Sequence, residues 1–190
     1  MGKGRIEAFT DGVIAIIITI MVLELKVPHG SDFAALWETA PVFLAYVLSF
    51  VNVGIFWNNH HHMLHAATRV DGRVLWTNLA LLFFLSLVPF VIRWIDEVGM
   101  VTAPVAAYGV VLSGAAISYV LLQTAIIACN PDSVLPRVIG SDWKGKLSLA
   151  GYIAAIPLAF MSPWISIAIY VAIAAMWFIP DRRIERTISH

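Results

Sequence analysis

From Ala103 to Cys129 the chain carries no charged side chain, and from Thr39 to Asn59 it carries none either. A helix crosses a hydrocarbon core of about 30 Å with about 20 mainly apolar residues. Runs of this length and purity confine the chain to a bilayer. The rest of the composition agrees: 60% of the residues are hydrophobic, 13% are charged and the mean hydropathy is +0.84. Soluble domains sit near 45–50% apolar and about 25% charged. A disordered chain is excluded. A nucleic-acid partner is not expected, because 12 Lys+Arg against 12 Asp+Glu leave no basic surplus for phosphates.

Six segments read as spans: Ala8–Val27, Thr39–Asn59, Val74–Ile95, Ala103–Cys129, Leu147–Met161 and Trp164–Ile179. Joined, the last two would make a helix of about 50 Å, too long for a bilayer. Ser162-Pro163 between them reads as a tight hairpin, since proline cannot donate to the helical ladder. The expected fold is an all-α integral membrane protein with six transmembrane helices, one domain over 1–190. The first segment is too long for a signal peptide, carries Asp11 and lacks a cleavage site, so it is expected to remain. The single Cys129 allows no intrachain disulfide and reads as a small hydrophobe.

Charge placement sets the expected orientation. With both termini cytoplasmic, the inner segments 1–7, 60–73, 130–146 and 180–190 hold ten of the twelve basic residues, leaving Lys26 and Arg93 outside. That bias follows the positive-inside rule. A multi-pass protein of the cell membrane is expected. The inner side then carries a net +3 and the outer side, with Glu24, Asp32, Glu38, Asp96 and Glu97, a net −3. Such an outer surface attracts cations modestly. No inverted repeat is evident, and one subunit has few spans to enclose a pathway alone, which favours an oligomer.

The first span holds the unusual chemistry. Asp11 lies about a turn inside the apolar run, where a charge needs a partner or water. It either caps the helix start or joins a polar network between helices. Arg5, six residues earlier, is on another face of a straight helix. Gly12, Ile16, Thr19 and Leu23 are spaced four, three and four apart and form one stripe. That stripe lines a pore or simply faces lipid; Thr19 can bond to its own backbone in either case. Glu24 at the outer end either concentrates cations or is an ordinary interfacial residue.

Trp57-Asn58-Asn59-His60-His61-His62-Met63-Leu64-His65 ends the second span. His61 and His65 share a helix face, but no acidic residue lies at ligand spacing, so no metal site is expected. The imidazoles lie at the depth of Asp11 and can bond to it or titrate near neutral pH. Asp71-Gly72 is a turn signal before the third span. Asn78 inside that span reads as a bond across helices, and Pro89-Phe90 as a kink.

These motifs together resemble a known family. Arg5-x-x-x-Phe9-Thr10-Asp11 is similar to the R-x-x-x-F-S-D signature of the transmembrane protein 175 family of potassium channels, in its single-repeat prokaryotic form. Leu23-Glu24-Leu25-Lys26-Val27-Pro28 resembles the end of that family's first helix, and Trp57-x-Asn59-His60-His61 the end of its second. Asp71-Gly72-Arg73, Leu75-Trp76-x-Asn78-Leu79 and Pro89-Phe90 resemble its third helix. The likeness is close over residues 5–95; beyond them only the span number and basic tail agree. Thr10 stands where serine is usual, and both carry a hydroxyl. His62-Met63 stand where a basic residue is common.

The resemblance implies a homotetramer around one central pore, lined by the first helix of each subunit and lacking the T-V-G-Y-G filter. Its constriction positions fall on Ile16 and Leu23, with a hydroxyl ring at Thr19. Arg5 and Asp11 would tie the first helix to its neighbours through His60, His61 or Asn78. The implied function is a potassium-permeable cation channel with hydrophobic side-chain rings and no cofactor beyond the permeant ion. The rival reading is a proton-coupled secondary transporter using Asp11 and the His60–His65 cluster. An enzyme is not expected.

Overall fold

The computed structural model describes residues 2–132 and 142–178. Arg137, Ile179 and the basic tail Arg182, Arg183 and Arg186 lie outside them. Eight helices are described: α1 (Lys3–Leu23), α2 (Phe33–Glu38), α3 (Ala40–His65), α4 (Gly72–Ser86), α5 (Val88–Val98), α6 (Thr102–Cys129), α7 (Trp143–Ala159) and α8 (Pro163–Phe178). Four stretches are long and apolar enough to cross a membrane: Lys3–Leu23, Ala40–His65, Gly72–Val98 and Thr102–Cys129. The chain is therefore a multi-pass, all-helical membrane protein. α7 and α8 have 17 and 16 residues, shorter than the other four.

Helix boundaries depart from the hydropathy reading where charges enter the ladder. α1 begins at Lys3, ahead of the expected Ala8, because Lys3 and Glu7 fit a helix surface and approach to 3.8 Å as an i,i+4 pair. It stops at Leu23, short of Val27. α3 continues six residues past Asn59, through the histidine run. The third span is broken at Leu87, which ends α4 and begins α5. Pro89 in the first turn of α5 has no N–H to offer the preceding turn. Proline also opens α8 directly after the short turn at Met161-Ser162.

Caps fix the connections. Asp71 Oδ1 accepts from the Val74 amide at 3.0 Å, and Asp142 Oδ1 from the Gly145 amide at 2.8 Å. Gly99, with φ 85°, turns the chain between α5 and α6 where a side chain would be strained. Asn130, just past α6, accepts from the amides of Thr68 and Arg69 at 2.9 and 2.8 Å and donates to the Arg69 carbonyl at 3.0 Å. One side chain thus satisfies the α3–α4 connection.

α6 is the central element, packed against α4, α5, α7 and α8. It permits this through small buried residues: Gly109, Ser113, Gly114, Ala115 and Ala116. Polar bonds cross the apolar interior as well. Ser49 Oγ lies 2.9 Å from the Tyr108 hydroxyl, and the Tyr152 hydroxyl donates to Asn52 Oδ1 at 3.1 Å. α1 packs on α3, α4 and α5, at the other side of the bundle from α7.

A Cβ at Gly114 would overlap the Phe84 ring. Gly114→Ala is therefore expected to cost about 1–3 kcal/mol through overpacking, read as a lower melting temperature of the purified protein. Adding Phe84→Leu should recover most of the loss; no recovery would place the strain elsewhere.

Candidate functional site

α1 is amphipathic in an unusual sense, since nearly all of it is apolar. Ile6, Thr10, Ile14, Ile17 and Met21 are buried against the rest of the subunit. Gly12, Ile16, Thr19 and Leu23 lie about 150° around the helix from that stripe, at 3.6 residues per turn, and all four are exposed. Ile16 is 58% and Leu23 79% exposed. Large aliphatic side chains on a bare face mark a surface that another component covers. Thr19 Oγ1 donates to the Ile16 carbonyl at 2.9 Å. Its proton is thereby used within the helix, and its oxygen lone pairs remain available to a cation.

Polar contacts hold the buried side of α1 at the Arg5 end. Asn78 of α4 stands between two helices: its Nδ2 donates to Thr10 Oγ1 at 2.9 Å, and its Oδ1 lies 2.7 Å from His60 Nε2. All three residues are at most 2% exposed. With the amide oxygen toward His60, Nε2 is the nitrogen that carries the proton. Asp11 takes a different partner: its Oδ1 accepts from the Trp57 indole N–H at 2.8 Å. The partners expected for Asp11 were His60, His61 or Asn78; Trp57 has the reach, as a long rigid donor one turn before His61. His61 supports it indirectly, stacked on the Trp57 ring at 6.0 Å and on His65 at 6.1 Å. Lys3 Nζ donates to the His65 carbonyl at 2.8 Å and closes this end.

Arg5 meets none of these groups. It is exposed on the side of α1 that carries Gly12 and Leu23. Its amide bonds to the Gly2 carbonyl at 3.1 Å, while its guanidinium meets no partner among the described residues of its own chain. Phe9 is exposed as well, at 52%. Asp71 caps α4 and does not reach α1. Among the described residues no three His, Cys, Asp or Glu side chains converge as metal ligands.

The opposite end of α1 is held by charges. Arg93 of α5 bonds Glu24 through Nη1 at 3.1 Å and Glu97 through Nε at 3.3 Å, and Lys26 lies 3.1 Å from Asp96. Glu24 is therefore an ion-pair partner and not an isolated carboxylate. This brace went unread in the sequence. Its only local sign is the i,i+4 spacing of Arg93 and Glu97; the link to Glu24 is long-range.

The two ends differ in energy. Asn78→Leu would leave His60 and Thr10 buried without partners, at about 1–3 kcal/mol for each. Arg93→Ala breaks exposed ion pairs, which water and salt weaken. Thermal unfolding of the purified variants should show a large drop for the first and a small one for the second; the reverse order would invalidate the ranking.

Comparison with known proteins follows the same residues. A family model described as the endosomal/lysosomal potassium channel TMEM175 matches residues 5–89. A protein named a potassium channel from Chryseobacterium sp. (strain P1-3) is 49% identical over 190 residues, covering 100% of this chain and 99% of that one. Another protein named a potassium channel, from Streptomyces collinus, is 30% identical and covers 90% and 89% of the two chains. The human endosomal/lysosomal proton channel TMEM175 is 44% identical over 87 residues, 38% of this chain and 17% of that protein. The crystal structure of a lysosomal potassium-selective channel TMEM175 homolog from Chamaesiphon minutus superposes with a TM-score of 0.80 at 26% identity, covering 93% of this chain and 96% of that one. With a full-length relative at this identity and the signature on α1, the chain belongs to the TMEM175 family, whose members are ion channels and not enzymes.

Proposed function

We propose that this chain is one subunit of a homotetrameric, potassium-permeable cation channel of the cell membrane. In this reading the chain spans six times with both termini cytoplasmic, and α1 of each subunit lines a central pore. The observation that carries it is the bare face of α1, where Gly12, Ile16, Thr19 and Leu23 are exposed while the opposite face is packed. Two full-length relatives named potassium channels support the choice of ion.

The mechanism follows from the side chains. Four Ile16 side chains around an axis offer no oxygen to a dehydrating ion. A narrow ring of them excludes water and blocks current; a wider one admits a partly hydrated ion. Thr19, with its proton bonded within the helix, presents four oxygens to that ion. Leu23 forms a second apolar ring, one turn further out. Selectivity then rests on diameter and the Thr19 ring, with no backbone-carbonyl filter. The polar contacts at Thr10 and Asp11 set where α1 stands and do not touch the ion. No cofactor enters this scheme.

The rival proton-coupled transporter would need Asp11 and the histidines in one relay. Here Asp11 bonds to Trp57 and His60 to Asn78, so the carboxylate and imidazole have separate partners. The channel reading is preferred on that ground.

Reconstituted protein in planar bilayers is expected to give electrodiffusive current whose reversal potential follows the potassium gradient more than the sodium gradient. Saturable, proton-coupled flux without unitary currents would favour the transporter. Ile16→Asn should raise conductance or relax selectivity by hydrating the constriction; unchanged currents would remove Ile16 from the pore.

A further inference from the structure

A cavity of about 410 Å³ opens between α3 and α8, with α5 and α6 as its floor. The pore reading makes no use of it. Its volume lies within the roughly 300–1,000 Å³ of small-molecule sites, and its wall is almost wholly apolar. The hydroxyls that line it are already engaged. Ser49 Oγ bonds to the Ala45 carbonyl and lies 2.9 Å from the Tyr108 hydroxyl, while the Tyr170 hydroxyl donates to the Val105 carbonyl at 3.1 Å. Water has too few free partners to settle there, and an empty apolar void destabilises in proportion to its volume. The occupant must be apolar.

Position narrows it further. α8 packs on α3, α6 and α7, whereas α1 packs on α3, α4 and α5. An assembly centred on α1 therefore turns the α8 side toward lipid. The α3, α5 and α6 lining comes from the start of α3, the end of α5 and the start of α6, while the α8 lining runs the length of that helix from Trp164 to Phe178. The cavity thus begins in the leaflet at the Glu24 end of α1 and runs inward along α8. Trp164, 64% exposed at the start of α8, stands at its rim, where an indole marks the headgroup level. The rim residues Val47 and Val171 are open to the surroundings.

We propose that this cavity holds one acyl chain of a phospholipid from that leaflet. The chain lies along α3 and α8 and is shielded from the bulk bilayer on three sides. α3 also carries Trp57 and His60, so the occupied cavity braces the helix that positions α1. The α1-centred assembly enters only in deciding which face meets lipid.

The test uses the intact protein in phosphatidylcholine vesicles that contain a phosphatidylcholine with a mid-chain diazirine. After illumination, adducts are mapped by peptide mass spectrometry. Labelling at Val47 and Val171 is expected to exceed that at Val110, which is exposed on α6 outside the cavity. Ala175→Phe and Val47→Phe, at exposed lining positions, should each fill the cavity and reduce labelling at Val171 to the Val110 level. Equal labelling of Val171 and Val110 in the unsubstituted protein, or Val171 labelling unchanged in folded variants, overturns the proposal. The unsubstituted comparison decides the matter even if both variants misfold. Potassium flux does not enter the readout, so failure of the channel reading and failure of the lipid site are distinguishable.

Discussion

A polar side chain in a bilayer must find a partner inside the protein, because the hydrocarbon offers none. Asn78 meets that demand for three helices at once. Its two amide atoms take one bond each, to Thr10 on α1 and to His60 on α3. The amide is planar, and its donor and acceptor are not interchangeable without breaking both contacts. α1 is thus fixed in rotation as well as in position. Rotation matters most for this helix, because a turn of one residue would swing the face shared by Ile16 and Thr19 by about 100°.

Hydrophobic packing could not give that specificity alone. Ile6, Ile14, Ile17 and Met21 are nearly interchangeable with Ile16 and Ile20 in size and polarity. The apolar face of α1 would pack almost as well in another register. Thr10 is the one residue on the buried stripe that distinguishes registers, and Asp11 beside it adds a second anchor through Trp57. The two polar positions discriminate between packings that dispersion forces treat alike.

Much of this was legible in the sequence and some was not. Apolar runs located the four long spans because a bilayer imposes a length. Asp71-Gly72 and Pro163 gave helix starts because cap and proline chemistry is local. Asn78 was readable as a cross-helix bond because an amide in a span needs partners inside the protein for both its donor and its acceptor. The partner of Asp11 was not readable: Trp57 and the histidines lie at the same depth, and only the rotation of α3 decides which one reaches it. Helix ends at Lys3 and His65 were hidden because charge and imidazole lower hydropathy without breaking a helix. The Arg93–Glu24 pair joins residues 69 apart, and no local pattern encodes it. Asn130 gave no sign either, since its bonds depend on how the α3–α4 connection folds back.

The break at Leu87 divides the third span into two rods with a joint between them. α4 carries Asn78 and grips one end of α1; α5 carries Arg93 and grips the other. A straight helix would couple these grips as a rigid beam. The exposed charges at the far end are weakened by salt, while the buried amide contacts are not. A change in ionic strength can therefore loosen one mouth of the proposed pore while the rotational setting at Thr10 stays where it was.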